Sequence, residues 1–177
     1  MKTVTIDMPK FGQVVLKNYT HLSHEALLAV LKMRNHPDVR KKMFDHDPIT
    51  ESEHFHFINR LSKRTDTEHF LVLYQDKILG AINVTDADEQ AQSAYVGMFS
   101  NLESTHPMAA FILENALIYY GFDQRQFTAL IAEVLEENKN VIALHQRFGF
   151  RPAPTDTNGV VRLVLSNVIE KNKGSHG

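Results

Sequence analysis

Residues 132–150 read Ala-Glu-Val-Leu-Glu-Glu-Asn-Lys-Asn-Val-Ile-Ala-Leu-His-Gln-Arg-Phe-Gly-Phe, and the order of elements around this stretch decides the fold. Residues 127–135 carry the apolar, β-branched run of a strand. Asn138 follows at a helix start, a position that asparagine favours. A short amphipathic helix, residues 138–148, then ends at Phe148-Gly149-Phe150.

Working outward, residues 94–99 read as a strand, residues 107–122 as the helix that follows it, and residues 160–165 as the strand that closes the sheet. A hairpin of residues 70–74 and 78–84 turns at Gln75-Asp76-Lys77. Residues 4–16 form two short strands around a turn at 9–12. Ser23 can cap a helix whose Leu27, Leu28, Val30, Leu31 and Met33 make one broad apolar face. Pro37 ends that helix or begins a new turn, so Arg34-Asn35-His36-Pro37 sits at a helix exit, where side chains can reach a cleft. Thr50-Glu51-Ser52-Glu53 is a capping box opening a second helix, with Phe57, Ile58 and Leu61 at helical spacing. The order ββ, αα, βββ, α, β, α, β describes an α/β (α+β) chain, a mixed sheet with helices on its faces. Residues 1–170 are expected to form a single domain and residues 171–177 a disordered polar tail.

The 177 residues are 43% hydrophobic and 23% charged, with a formal net charge of −2, the balance of an ordinary soluble protein. Basic residues are scattered rather than gathered into a stripe, so nucleic acid is not an expected partner. No run approaches the roughly 18 apolar residues of a membrane span, and the start lacks a secretory signal. A cytoplasmic location fits, with no membrane partner. The absence of cysteine removes disulfides, thiolate metal sites and a cysteine nucleophile. Ten histidines invite a metal. Yet His54 and His56 point roughly 200° apart on a helix, and His21 with His24 find no third ligand, so no metal is expected.

The succession of strand, asparagine, helix and Gly-Phe resembles the closing half of the GCN5-related N-acetyltransferase (GNAT) fold, and the likeness extends over about residues 1–165. It implies a mostly antiparallel sheet whose central strands, 94–99 and 127–135, splay apart at their C-terminal ends. The wedge would admit the pantetheine arm of acetyl-CoA, the co-substrate, beside Met98 and Phe99, with Asn138 and the helix behind it meeting arm and thiol. The helix beginning near Pro107 would offer its amides to the pyrophosphate. Family members carry Arg/Gln-x-x-Gly-x-Gly/Ala at that point. This chain has Glu103-Ser104-Thr105-His106-Pro107-Met108-Ala109-Ala110, with Met108 in place of a glycine and Ala110 kept. The amides of Met108, Ala109 and Ala110, assisted by His106, are the expected anion site, with weaker binding than usual.

A narrower resemblance rests on Arg34-Asn35-His36-Pro37, Met43-Phe44, and Ile49-Thr50 with His54 and Phe57-Ile58. Leu79-Gly80-Ala81-Ile82, Thr85, Tyr95-Val96-Gly97 and Glu133-Val134 continue it in order. These are similar to the N-acetyltransferases of pseudaminic-acid biosynthesis, which acetylate the 4-amino group of a UDP-linked amino-dideoxy sugar that later decorates flagellin. The resemblance puts Arg34 near the sugar-nucleotide phosphates and makes Met43 and Phe44 an apolar wall. It has His54, Thr85, Tyr95 and Glu133 line the reacting amine. That family usually follows the threonine with lysine; here Asp86 stands there, and a carboxylate would repel a diphosphate.

Acetyl transfer needs a base for the amine's proton and an acid or oxyanion donor opposite. Glu133 is the candidate base, directly or through a water, unless it is an ordinary strand carboxylate paired with a cation. The family's acid is usually a tyrosine on the helix after the asparagine. Here His145 holds that position, and an imidazole titrates near neutrality; Tyr95 is the alternative donor. Asn138 either binds a pantetheine amide or caps its own helix, and Arg34 either binds an anion or pairs with Asp38 at i+4. Phe44 and His54 each have a plainer reading, as core and as surface. The function expected is acetyl-CoA-dependent acetylation of a small-molecule amine carried on a nucleotide sugar. An acceptor that is a protein N-terminus or a polyamine is the alternative, and a catalytically weak binding domain a third. A homodimer is left open.

Overall fold

The computed structural model of the protein describes residues 3–104 and 106–167; the tail at 171–177 lies outside them. The chain runs β1 (Thr3–Met8), β2 (Gly12–Asn18), α1 (His24–Arg34), α2 (Pro37–Arg40), α3 (Glu51–Leu61), β3 (Glu68–Tyr74), β4 (Lys77–Asp88) and β5 (Ser93–Ser100). It continues with α4 (Ala109–Tyr119), β6 (Ala129–Leu135), α5 (Lys139–Arg147), β7 (Arg151–Ala153) and β8 (Val160–Ser166). Among the described residues, eight strands form one sheet in the order β1-β2-β3-β4-β5-β6-β8-β7. Every neighbouring pair is antiparallel except β5 and β6.

Strand periodicity divides the core between the two faces of the sheet. Phe70 and Val72 of β3 join Ile82 of β4 and the fully buried Ile112, Leu113, Ala116 and Leu117 of α4 on one side. Leu71 and Ala81 meet Leu27, Val30 and Met33 of α1 and Leu61 of α3 on the other. The expected helices on both faces are therefore present. The capping box of Thr50 and Glu53 opens α3 with both reciprocal bonds made. The hairpin between β3 and β4 turns on Gln75 and Asp76, both at positive φ, the backbone that a two-residue turn joining twisted strands requires.

Some boundaries differ from expectation. α4 starts at Ala109 rather than Pro107 and unwinds through a π turn, Tyr120–Gln124. β4 extends to Asp88. β7 was not legible because it spans three residues around Pro152; at the sheet edge the missing proline N–H is tolerated.

The quoted stretch ends in a Schellman motif. Phe150 N–H donates to His145 C=O at 3.1 Å and Gly149 N–H to Gln146 C=O at 3.0 Å. Gly149 takes φ +100, the left-handed conformation this termination needs. Phe150 is buried, its ring 4.9 Å from the His145 ring. The Gly-Phe pair thus fixes the last turn of α5 against the sheet.

Candidate active site

β5 and β6 share four residue pairs, from Ser93 with Ala129 to Val96 with Ala132. Beyond them both strands continue, to Ser100 and Leu135. Each is held only from its outer side, residues 97–100 by β4 and residues 133–135 by β8. Among the described residues the inner edges face each other unpaired, so backbone amides and carbonyls are open to an extended ligand, the way a chain adds to a sheet as an extra strand.

A cavity of about 600 Å³ fills the gap. β4 lends it Asn83, Thr85 and Asp86; β5 lends Tyr95, Met98 and Phe99; β6 lends Glu133 and Leu135. Asn138, Val141 and His145 close one end, and Lys42, Met43 and Phe44 of the α2–α3 segment cover another. Phe44 is 64% exposed, so it is a wall of the opening and not part of the core. Thr85 and Tyr95 are cross-strand partners.

Glu133 stands opposite Arg162 of β8, whose Nη2 lies 3.5 Å from its Oε2, the side chains being 25% and 32% exposed for Glu133 and Arg162. The carboxylate thus has a cation at the edge of hydrogen-bonding range and still lines the cavity. Asn138 occupies the N-cap position of α5 but makes no side-chain capping bond, which leaves its carboxamide uncommitted to the helix. His145 is 2% exposed and its Nδ1 lies 2.7 Å from Oε1 of Glu114 on α4. Asp86 is ion-paired at 3.1 Å with Arg64, which also holds Asp66, so its charge is already answered.

Two expected substrate residues stand elsewhere. His54 is buried between α3 and α1, its Nε2 2.9 Å from the Leu27 carbonyl, and burial lowers its pKa. It ties two helices together and is not among the cavity's lining residues. Arg34 is also absent from the lining: its Nη1 is buried with no hydrogen-bond partner among the described residues, and burial lowers its pKa against the pull of Asp45. Asp38 pairs with Lys41 at 2.9 Å. The motif acts instead through Asn35, which donates to Ile49 C=O at 2.7 Å and accepts from Ile49 N–H at 2.8 Å. That clamp closes the loop carrying Lys42, Met43 and Phe44.

The expected anion site lies apart from these walls, before α4. His106 Nδ1 accepts the Met108 N–H at 3.1 Å, and the Ala109 N–H reaches the His106 carbonyl at 3.2 Å. Those two amides are thus engaged locally. Helix geometry leaves the next ones, of Ala110 and Phe111, to receive an anion. With Nδ1 accepting, a neutral His106 ring carries its hydrogen on Nε2.

Sequence reasoning missed Asn83, Lys42, Leu135 and Glu114. Only Glu114 carried a readable signal, as the one charge in the eleven residues of α4. Among the described residues no group of three or more His, Asp or Glu could hold a metal, and no helix is long and apolar enough to cross a membrane.

A parallel strand pair opened at one end, with a helix N-terminus nearby, is the architecture of the GNAT acetyltransferases. Residues 14–151 match the acetyltransferase (GNAT) domain family, and the chain belongs to it. Among known proteins it is similar to the acetyltransferase PseH of Campylobacter jejuni strain 81-176, at 29% identity over 139 residues, which are 77% of this chain and 84% of that one. The PseH of a second Campylobacter jejuni strain, NCTC 11168, matches at 26% over 137 residues, with the same shares covered. The crystal structure of Campylobacter jejuni PseH with acetyl coenzyme A has a TM-score of 0.72 at 22% identity, covering 88% of this chain and 99% of that one. Spermidine N-acetyltransferase from Vibrio cholerae, with CoA and spermine, has a TM-score of 0.75 at 18% identity, covering 86% and 95%. At such identities the two structures establish the shared fold.

Proposed function

We propose that the protein is an acetyl-CoA-dependent N-acetyltransferase whose acceptor is the 4-amino group of a UDP-linked amino-dideoxy sugar. The observation that carries the reading is the wedge between β5 and β6, which brings Glu133, Tyr95, Asn138 and His145 to one cavity. The residues suit the coenzyme: open strand edges for the pantetheine amides, the Asn138 carboxamide beside them, and α4 amides for the pyrophosphate. Bound acetyl-CoA supplies an activated thioester. Glu133 takes the amine's proton, and Tyr95 and Thr85 orient the amine. His145 returns a proton to the departing sulfur. With no cysteine in the chain, the amine attacks directly and no acetyl-cysteine forms.

Charge favours the sugar nucleotide. A second hollow of about 300 Å³ adjoins the cavity, sharing Lys42, Leu135 and Asn138 with it; Lys42 and Lys139 line it together with Lys41, which Asp38 pairs, and Glu137 is the carboxylate among its lining residues. A diphosphate is attracted there and a polyamine is repelled. Met43 and Phe44 give the base and the sugar methyl an apolar wall. The relatives named PseH are consistent with this acceptor. A polyamine acceptor is the second reading, supported by the fold shared with the spermidine enzyme. We place the reaction in a single domain of residues 1–170, in the cytoplasm.

Thiol release from acetyl-CoA decides between them, measured with a UDP-4-amino sugar, spermidine and a peptide amine. The proposal expects turnover of the nucleotide sugar at a kcat/KM at least tenfold above the others, and a KM for it that rises in Lys42→Ala/Lys139→Ala. Faster spermidine turnover would replace the acceptor. If acetyl-CoA at 100 times its Kd fails to stabilise the fold by about 2.7 kcal/mol, the domain is not an acetyl-CoA enzyme.

A further inference from the structure

Glu114 is the only charged residue of α4, and its neighbours Ile112, Leu113, Ala116 and Leu117 share its full burial. Oε1 meets His145 Nδ1 at 2.7 Å, while Oε2 is buried without a hydrogen-bond partner among the described residues. An unsatisfied buried oxygen of this kind is destabilising, a cost that leucine at the same position would avoid. Stability alone gives no reason for a carboxylate here.

His145 is fixed from its other side as well. Its carbonyl anchors the Schellman motif through Phe150 N–H, and the Phe150 ring packs against the imidazole. Because His145 lines the cavity and its Nδ1 is taken, Nε2 is the nitrogen left for a ligand.

We infer that Glu114 is a positioning residue: it orients His145 and keeps a hydrogen on Nε2, so that this imidazole is the acid that protonates the departing coenzyme sulfur. The inference rests on the acetyl-transfer reading of the cavity. Two protons on the pair make it neutral overall, as carboxylate with imidazolium or as carboxylic acid with imidazole, and in both forms Nε2 carries a hydrogen. One proton leaves a net charge of −1 and a bare Nε2. An apolar interior disfavours the net charge, and the last turn of α5 favours a cationic ring. The other charged or titratable groups lining the cavity are Glu133 of β6, Tyr95 of β5, the paired Asp86 of β4 and Lys42 of the α2–α3 segment.

The step balances. The amine nitrogen forms a bond to the acetyl carbon, the C–S bond breaks with its electron pair passing to sulfur, and the Nε2 hydrogen moves to that sulfur as a proton. The amine's own proton leaves through Glu133, and solvent returns one to His145.

The test combines turnover with ring-nitrogen NMR of ¹⁵N-histidine protein free of ligand. Wild type should show a hydrogen on His145 Nε2. Glu114→Gln keeps the side-chain volume and should change the protonation of that nitrogen. Its kcat should fall roughly 10²-fold with the KM for acetyl-CoA within threefold, and the alkaline limb of its pH profile should move. Adding it to His145→Gln should cost nothing further. An unchanged His145 spectrum in Glu114→Gln, or an unchanged alkaline limb, overturns the inference and leaves the acetyltransferase reading standing. If no amine is acetylated, that reading falls, and the NMR arm still decides whether Glu114 governs His145.

Discussion

Glu133 and Arg162 face each other across β6 and β8 at 3.5 Å, long enough that the carboxylate is steadied without being consumed. Glu133→Gln preserves shape and removes the base, so kcat should fall roughly 10²–10⁴-fold while acetyl-CoA still raises the melting point as in wild type. A kcat within threefold of wild type sinks that role. Phe44 offers a contrasting case, because it is largely exposed. Phe44→Ala should leave stability within about 0.5 kcal/mol and raise the acceptor KM roughly tenfold, the worth of partly re-exposing a ring that the acceptor covers. Glu133, Asn138 and His145 were legible as candidates because residue type and place in a short stretch both pointed to chemistry, and one cavity gathers them. The pairing of Glu114 was not: it lies 31 residues from His145, and nothing local announces the contact. Arg34 and His54 look functional in sequence, yet each is turned into the helical layer by neighbours that only the packed structure supplies.

Among the elements, α5 depends most on a single backbone conformation. Gly149 sits at φ +100, and alanine there should cost about 1 kcal/mol. Since the same Schellman motif holds the His145 carbonyl, Gly149→Ala should also lower kcat, whereas an equal loss of stability placed in α3 by Thr50→Ala should not. Equal activity losses in the two variants would show that the motif merely adds stability. Gly80 is a second backbone constraint. It stands at φ +155, and a Cβ there would come 2.2 Å from the Phe99 carbonyl oxygen, so this position of β4, paired on both sides, accepts only glycine.

Across the whole molecule, two histidines, the buried His54 and the half-buried His69, set an acid limit to stability. Burial, with a smaller push from Arg64, holds His69 down to about 4. Burial also lowers His54, against its bond to the Leu27 carbonyl. Between these folded values and the ordinary value of 6.5, the unfolded chain binds more protons than the folded one. Stability is therefore fully present above about pH 6.5 and is lost as the pH falls toward 4. Urea midpoints should drop between pH 7.5 and 5.5, and His69→Gln should flatten that drop. An unchanged slope would mean that His69 is not held neutral.

The sequence by itself determined the succession of elements apart from the short α2 and β7, the capping box at Thr50, the Gly-Phe termination of α5 and the family, because each depends on contacts a few residues apart or on motif order. Only the tertiary structure decided that β5 and β6 part after four pairs, that Asn35 clamps a loop over the opening, and that Glu114 meets His145 inside the core. Those outcomes depend on which side chains from distant segments share a space, and local periodicity carries no record of that.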